Sequence, residues 1–181
     1  MHILNAFLKA GVRDAIVGVI TDPALAAQAH ALGEGAAFVA HFNRDGGDAF
    51  SHPFHVPATI RALHPGQVLA RRGIFAGGSI DLGPSCALQI GGIAVVVISQ
   101  RIQCADPAFL ESFGLDIGAA RVVVVKSRGH FRGGFDEFFR HEQVIEVDAP
   151  GLTSPILSRF DWQHMPRPVI PIDPTAVWNP E

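Results

Sequence analysis

Hydrophobic and polar positions along this chain change period several times, and each change marks an element. Residues 2–10 read as a helix that stops at Gly11, where a C-cap glycine belongs. Ala15 to Ile20 is a short apolar strand. Thr21-Asp22-Pro23 follows it with a capping residue and a proline at the first helical position, which launches a helix over ALAAQAHAL as far as Gly33. Another strand spans Ala36 to Phe42. This β–α–β order predicts a small βαβ unit with parallel pairing. The Asn43 to His52 segment, with Gly46-Gly47 and several polar residues, reads as a mobile insertion.

From Phe54 to Ile102 the pattern is β. Phe54 to Ala62 alternates, with Val56, Ala58, Ile60 and Ala62 on one side. Ser85 to Ile90 and Ile93 to Ser99 are joined by Gly91-Gly92, a strong signal for a two-residue type I′ hairpin with positive φ twice. Asp106-Pro107 repeats the cap-plus-proline start, and the helix AFLESF ends at Gly114. Four valines, 122–125, predict a strand buried on both faces. A helix over Phe131 to His141 and a strand over Val144 to Val147 close the ordered part. The tail from 152 to 181 carries repeated prolines and is expected to be extended and packed across the surface.

Composition narrows the class. The chain has 181 residues, 48% hydrophobic and 17% charged, which is apolar against an average of about a quarter charged. The length fits one domain with a sizeable core. No apolar run approaches the ~20 residues of a membrane span, and Lys9, Arg13 and Asp14 interrupt any signal-peptide pattern. With a net charge of −3 and mixed signs along the chain, neither nucleic acid nor membrane is an implied partner. Cys86 and Cys104 read as reduced, buried residues, which points to the cytoplasm.

Candidate chemistry gathers after the valine run. Within seven residues come Lys126, Ser127, Arg128, His130 and Arg132. Cations and backbone amides at a strand end suit an anionic group such as a peptide carboxylate, and His130 offers a proton donor or acceptor. The plainer account is that Lys126 and Arg128 are solvated and His130 satisfies a backbone carbonyl. Thr21 and Asp22 also end a strand, but helix capping explains both. His52 and His55 lie three apart, which on a strand puts them on opposite faces, so a shared metal is not expected. Asp45, Asp48, His41 and His64 have no spacing that demands convergence. No metal site is assigned, and neither Ser85 nor Ser154 sits in a nucleophile elbow.

KSRGHF after the valine strand, then VIEVDAPGLTS, resembles the C-terminal half of the MlrC family, named for a microcystin-degrading metallopeptidase. GVRDAIVGVITDPALAAQAHALG, GGSIDLGPSCALQIGGIAVVVISQRIQCADPAFLESFGLD and RPVIPID resemble that half in matching order, from about Gly11 to Asp173. The resemblance implies a zinc hydrolase acting on small peptides, with zinc held by Asp and His residues of an N-terminal half. MHILNAFLKAG resembles the middle of the family, so that metal-binding half is expected outside this chain, as its partner. In this reading His130 is the catalytic candidate, and Lys126, Ser127 and Arg132 bind substrate.

The expected fold is one α/β or α+β domain over residues 1–181, with a mixed sheet, a βαβ start, a central antiparallel hairpin and few short helices. Its expected role is to wall an active-site cleft, with little activity of its own and no cofactor in this chain. A non-catalytic binding or interaction module is the alternative. A third reading, a small metal-dependent enzyme, requires His41, His52, His55 or His64 to assemble a site. Association with a second copy is left open.

Overall fold

The computed structural model describes residues 1–44, 46, 52–149, 154 and 156–179. They fall into two compact units, Met1–Glu146 and Val147–Glu181. The first unit is built on a six-stranded sheet of order β2-β3-β6-β7-β1-β8. Its strands are β1 (Ala15–Thr21), β2 (Ala37–Phe42), β3 (Phe54–His64), β6 (Ser85–Ile90), β7 (Ile93–Ile98) and β8 (Val122–Val125). A small pair, β4 (Gln67–Leu69) with β5 (Ser79–Asp81), lies outside that sheet. The helices are α1 (His2–Lys9), α2 (Pro23–Leu32), α3 (Ala108–Glu111) and α4 (Phe131–Phe135).

Alternation along the central strands feeds a core on each face. Ile93, Val95 and Val97 of β7 join Ala15 and Val17 of β1 in one core, covered by Leu4 of α1 and Leu25, Ala26 and Ala29 of α2. Ala94, Val96 and Ile98 join Ile16 and Val19 in the other, covered by Ala108, Phe109 and Leu110 of α3, Phe135 of α4 and Val68 of β4. A strand whose six residues are all buried needs cover on both sides, as β7 has. Cys86 lies in the first core and Cys104 in the second, so the sheet separates them. Both are free thiols, and burial first, then the charge of Asp22 or Asp106 respectively, pushes each up to about 12.

The helix ends follow the sequence closely. Gly11 takes φ +64, with Gly11 N–H donating to Leu8 O and Val12 N–H to Phe7 O, the two bonds of a Schellman stop. Asp22 caps α2 by accepting from Leu25 N at 3.0 Å. Asp106 is fully buried, and its carboxylate accepts from Ala108 N, Arg71 N and Arg72 N, each at 2.8 Å. It thereby starts α3 and fixes the Arg71-Arg72 segment at once.

Several expectations are corrected. β1 does pair in parallel, but with β7 and β8. β2 lies at the far edge and runs antiparallel to β3, because three strands separate it from β1. The hairpin loop has positive φ at Gly91 alone, +55, the type II′ pattern rather than I′. A register shift between Ile60 and Ala62 breaks the alternation of β3 and turns Ala62 to the second core. The valines of β8 are half-buried, since this strand ends the sheet and has one pairing edge open. α4 stops at Phe135, short of His141. Gly133 and Gly134 lie within it, and a Cβ on Gly134 would overlap the Ala105 carbonyl oxygen, so close packing there requires glycine at the cost of helix propensity. Residues 144–147 pair with no strand, and Ile145 is 84% exposed, because no described edge lies alongside to form a ladder.

Most of the Asn43–His52 insertion, with Asp45 and Asp48, lies outside the described residues, as does much of the turn at 148–154. In the second unit a 3-10 turn spans Leu157–Arg159, Trp162 Nε1 donates to Leu157 O at 2.8 Å, and Arg159 pairs with Asp148. Arg167 pairs with Asp173, whose carboxyl lies below the usual range, chiefly because Val169 N–H donates to it.

Candidate functional site

Parallel pairing places the carboxyl ends of β7, β1 and β8 at one edge: Ile98 beside Thr21, with β8 ending at Val125 beyond it. From this edge β1 leads into α2 on the first face, whereas β7 and β8 lead into α3 and α4 on the second. Such a divergence opens a crevice at strand carboxyl ends, the usual ligand location in open α/β sheets. The segment Lys126–Arg132 leaves β8 at this edge.

The structure brings Ser127 and His130 together and parts them from Lys126 and Arg132. Gln103, from the segment after β7, is the link. Ser127 Oγ–H donates to Gln103 Oε1 at 3.1 Å, and Gln103 Nε2–H donates to His130 Nδ1 at 2.8 Å. Ser127 Oγ also accepts from Phe131 N at 3.2 Å, which anchors the start of α4. Gln103 Oε1 also lies 3.2 Å from Nδ1, so the roles of the ring nitrogens follow the tautomer; taking the shorter contact as the hydrogen bond, the imidazole accepts at Nδ1 and carries its proton on Nε2. Nε2 has no partner among the described residues, and His130 is exposed. The relay therefore holds the His130 ring by its Nδ1 side.

Arg132 is otherwise engaged. Its guanidinium reaches Glu146 Oε1 at 2.5 Å and His141 Nδ1 at 3.0 Å, and stacks 5.1 Å from the Phe131 ring centre. Lys126 is exposed and lies near the amino terminus of the chain. The Met1 amine is held below its ordinary pKa by burial, and secondarily by the Lys126 charge. Arg128 is exposed with no partner among the described residues. Thr21 and Asp22 line a cavity of about 310 Å³ with Pro23, Ala24, Asn43, Arg44 and Gly46 at the same edge. Both Asp22 oxygens are committed to backbone, one to Leu25 N and the other to Asn43 N at 3.0 Å, so capping accounts for this residue.

Gln103 is the member that sequence reasoning missed. It lies in RIQCADP with no motif around it, and only the 24 residues that separate it from Ser127 in the chain, closed by the sheet, give it a role. The other histidines fall elsewhere. His64 accepts from Gly66 N and packs against Phe113, and His30 Nε2 meets Ser85 O at 3.0 Å. No group of three or more His, Cys, Asp or Glu among the described residues is arranged to hold a metal. No helix among them is long and apolar enough to cross a membrane.

These features define a three-layer α/β/α domain with a mixed sheet and a polar cluster at its parallel carboxyl edge. The chain belongs to the family described as MlrC C-terminus, whose model matches residues 1–164. Among solved structures it is similar to a "Putative metallopeptidase" from Mesorhizobium sp. BNC1, with a TM-score of 0.78 and 26% sequence identity. That match covers 98% of this chain and 35% of the other, so the chain spans about a third of that relative's length. Comparison with curated proteins gives no match.

Proposed function

We propose that this domain forms the C-terminal part of an MlrC-like zinc metallohydrolase, a cytoplasmic peptidase acting on small peptides, and that it walls one side of the active-site cleft. Membership of the MlrC C-terminus family and the metallopeptidase name of the Mesorhizobium protein support the reading. The observation that carries it is the Ser127–Gln103–His130 relay at the carboxyl edge. The described residues do not fit a catalytic zinc, so the metal is assigned to the N-terminal part of the family protein, the partner of this domain.

His130 acts through Nε2–H as a donor to the oxygen on which charge develops during peptide-bond cleavage. Gln103 and Ser127 fix its ring and tautomer, so little reorganisation is required at the moment of reaction. Lys126 and Arg128 add positive potential beside the β8 end, which suits a substrate carboxylate. Arg132 supports the segment through Glu146 and His141, and reaches substrate only when that pairing opens.

The test is peptide hydrolysis by the purified 181-residue chain supplied with zinc, measured against small peptides. Background turnover is expected. Substantial turnover would contradict the assignment of the metal to another part of the protein.

A further inference from the structure

His41 and His55 stand directly opposite each other on β2 and β3, both exposed, at the other lateral edge of the sheet from β8. Their ring centroids are 5.7 Å apart and the planes incline by 27°. Ile60 N–H donates to Ala36 O, which sets the parity of the ladder. Counting along the register puts Ala37–Thr59, Val39–Pro57 and His41–His55 at the positions without direct backbone bonds, as Pro57, lacking an amide hydrogen, requires. Side chains of such pairs are the closer ones, with Cα atoms about 4.5 Å apart. An ion about 2.0–2.1 Å from one nitrogen of each ring spans imidazoles whose centroids are up to roughly 6 Å apart. The observed spacing meets that limit without backbone movement, once the rings turn about χ2 from stacked to edge-on.

We propose that His41 and His55 form a two-imidazole chelate for a late first-row divalent cation, its other positions filled by water. Among the described residues no third His, Cys, Asp or Glu joins them. His52, three residues from His55, offers its carbonyl to Asn43 Nδ2. Along the two strands the neighbours on the same face, Val39 and Pro57, are uncharged and exposed. A neutral nitrogen-donor pair with open positions favours Cu(II) over Ni(II) and Zn(II).

The test titrates the untagged 181-residue chain, and its His41→Ala, His55→Ala and His52→Ala variants, with copper(II) chloride. Calorimetry gives stoichiometry, and electron paramagnetic resonance reports the nitrogen ligands. One equivalent with two imidazole nitrogens is expected in the parent chain. Its affinity should fall by about tenfold or more in the His41 and His55 variants, since either change breaks the chelate. The His52 variant should bind as the parent does. Copper should also raise the melting temperature of the parent and not of the two chelate variants. All three positions are exposed, so the variants are expected to fold, and circular dichroism checks this. If the His41 and His55 variants keep the parent's stoichiometry, affinity and spectrum, the copper sits on other histidines and the proposal is wrong.

Discussion

The two lateral halves of the sheet obey different rules. At the β7-β1 side both faces are covered, by α1 and α2 on one and by α3, α4 and β4 on the other, and β7 has no exposed residue. At the β2-β3 side only one face is covered: Phe38, Ala40 and Phe42 pack inward while Ala37, Val39 and His41 face out. Parallel pairing requires crossovers, and crossovers supply cover; an antiparallel pair needs none. The covered half carries the candidate catalytic relay where its chain connections diverge, whereas the bare half carries the paired histidines.

This contrast can be broken by substitution. The largest effect is expected from Asp106→Ala, which orphans three backbone donors at the point where α3 meets the Arg71-Arg72 segment. A loss of about 3–5 kcal/mol in denaturant unfolding is expected, and a change under about 1 kcal/mol would show that the second face is held by packing alone. A matched pair probes the strands themselves. Ile93→Ala in β7 should cost about 2–5 kcal/mol, because the side chain is fully buried. Val39→Thr on the bare face, 45% exposed, should stay within about 0.5 kcal/mol. Equal costs would mean that the outer face of β2 is covered after all.

The smallest effect is on pH dependence. Burial holds His64 below its ordinary pKa, so the folded state favours the neutral ring. A depressed folded pKa gives stability that is complete above the unfolded value, about 6.5, and is lost as pH falls through the folded value. The melting temperature should therefore decline below about pH 6.5, and His64→Gln should flatten that decline. An unaltered slope in the variant would assign the acid sensitivity to carboxylates such as Glu137, which Arg71 holds below the usual carboxylate range.

Local chemistry was legible in the sequence wherever one residue type has one use. Gly11, Asp22-Pro23 and Asp106-Pro107 mark their helix ends, and Gly91-Gly92 marks the hairpin. Pairing was not legible, because β1 carries nothing that selects β7 and β8 over β2. The short apolar run at 144–147 could not be told from a strand without knowing that no edge would meet it. In the candidate site, Ser127 and His130 were singled out from their place after an apolar strand, and the fold links them through Gln103. Gln103 was invisible, since an amide gains meaning only from partners that the fold supplies. The His41–His55 pair was hidden for the same reason: cross-strand register, not spacing along the chain, joins them.

The central claim, that the relay presents His130 to a reaction, is tested by peptide hydrolysis with His130→Ala in the polypeptide that carries this domain together with the part proposed to bind zinc. A fall in kcat of at least ~10²-fold, with zinc content and melting temperature unchanged, is the expected result for a group that donates to the reacting oxygen. Unchanged turnover accompanied by lower stability would make His130 a structural residue of the β8–α4 turn and contradict the claim.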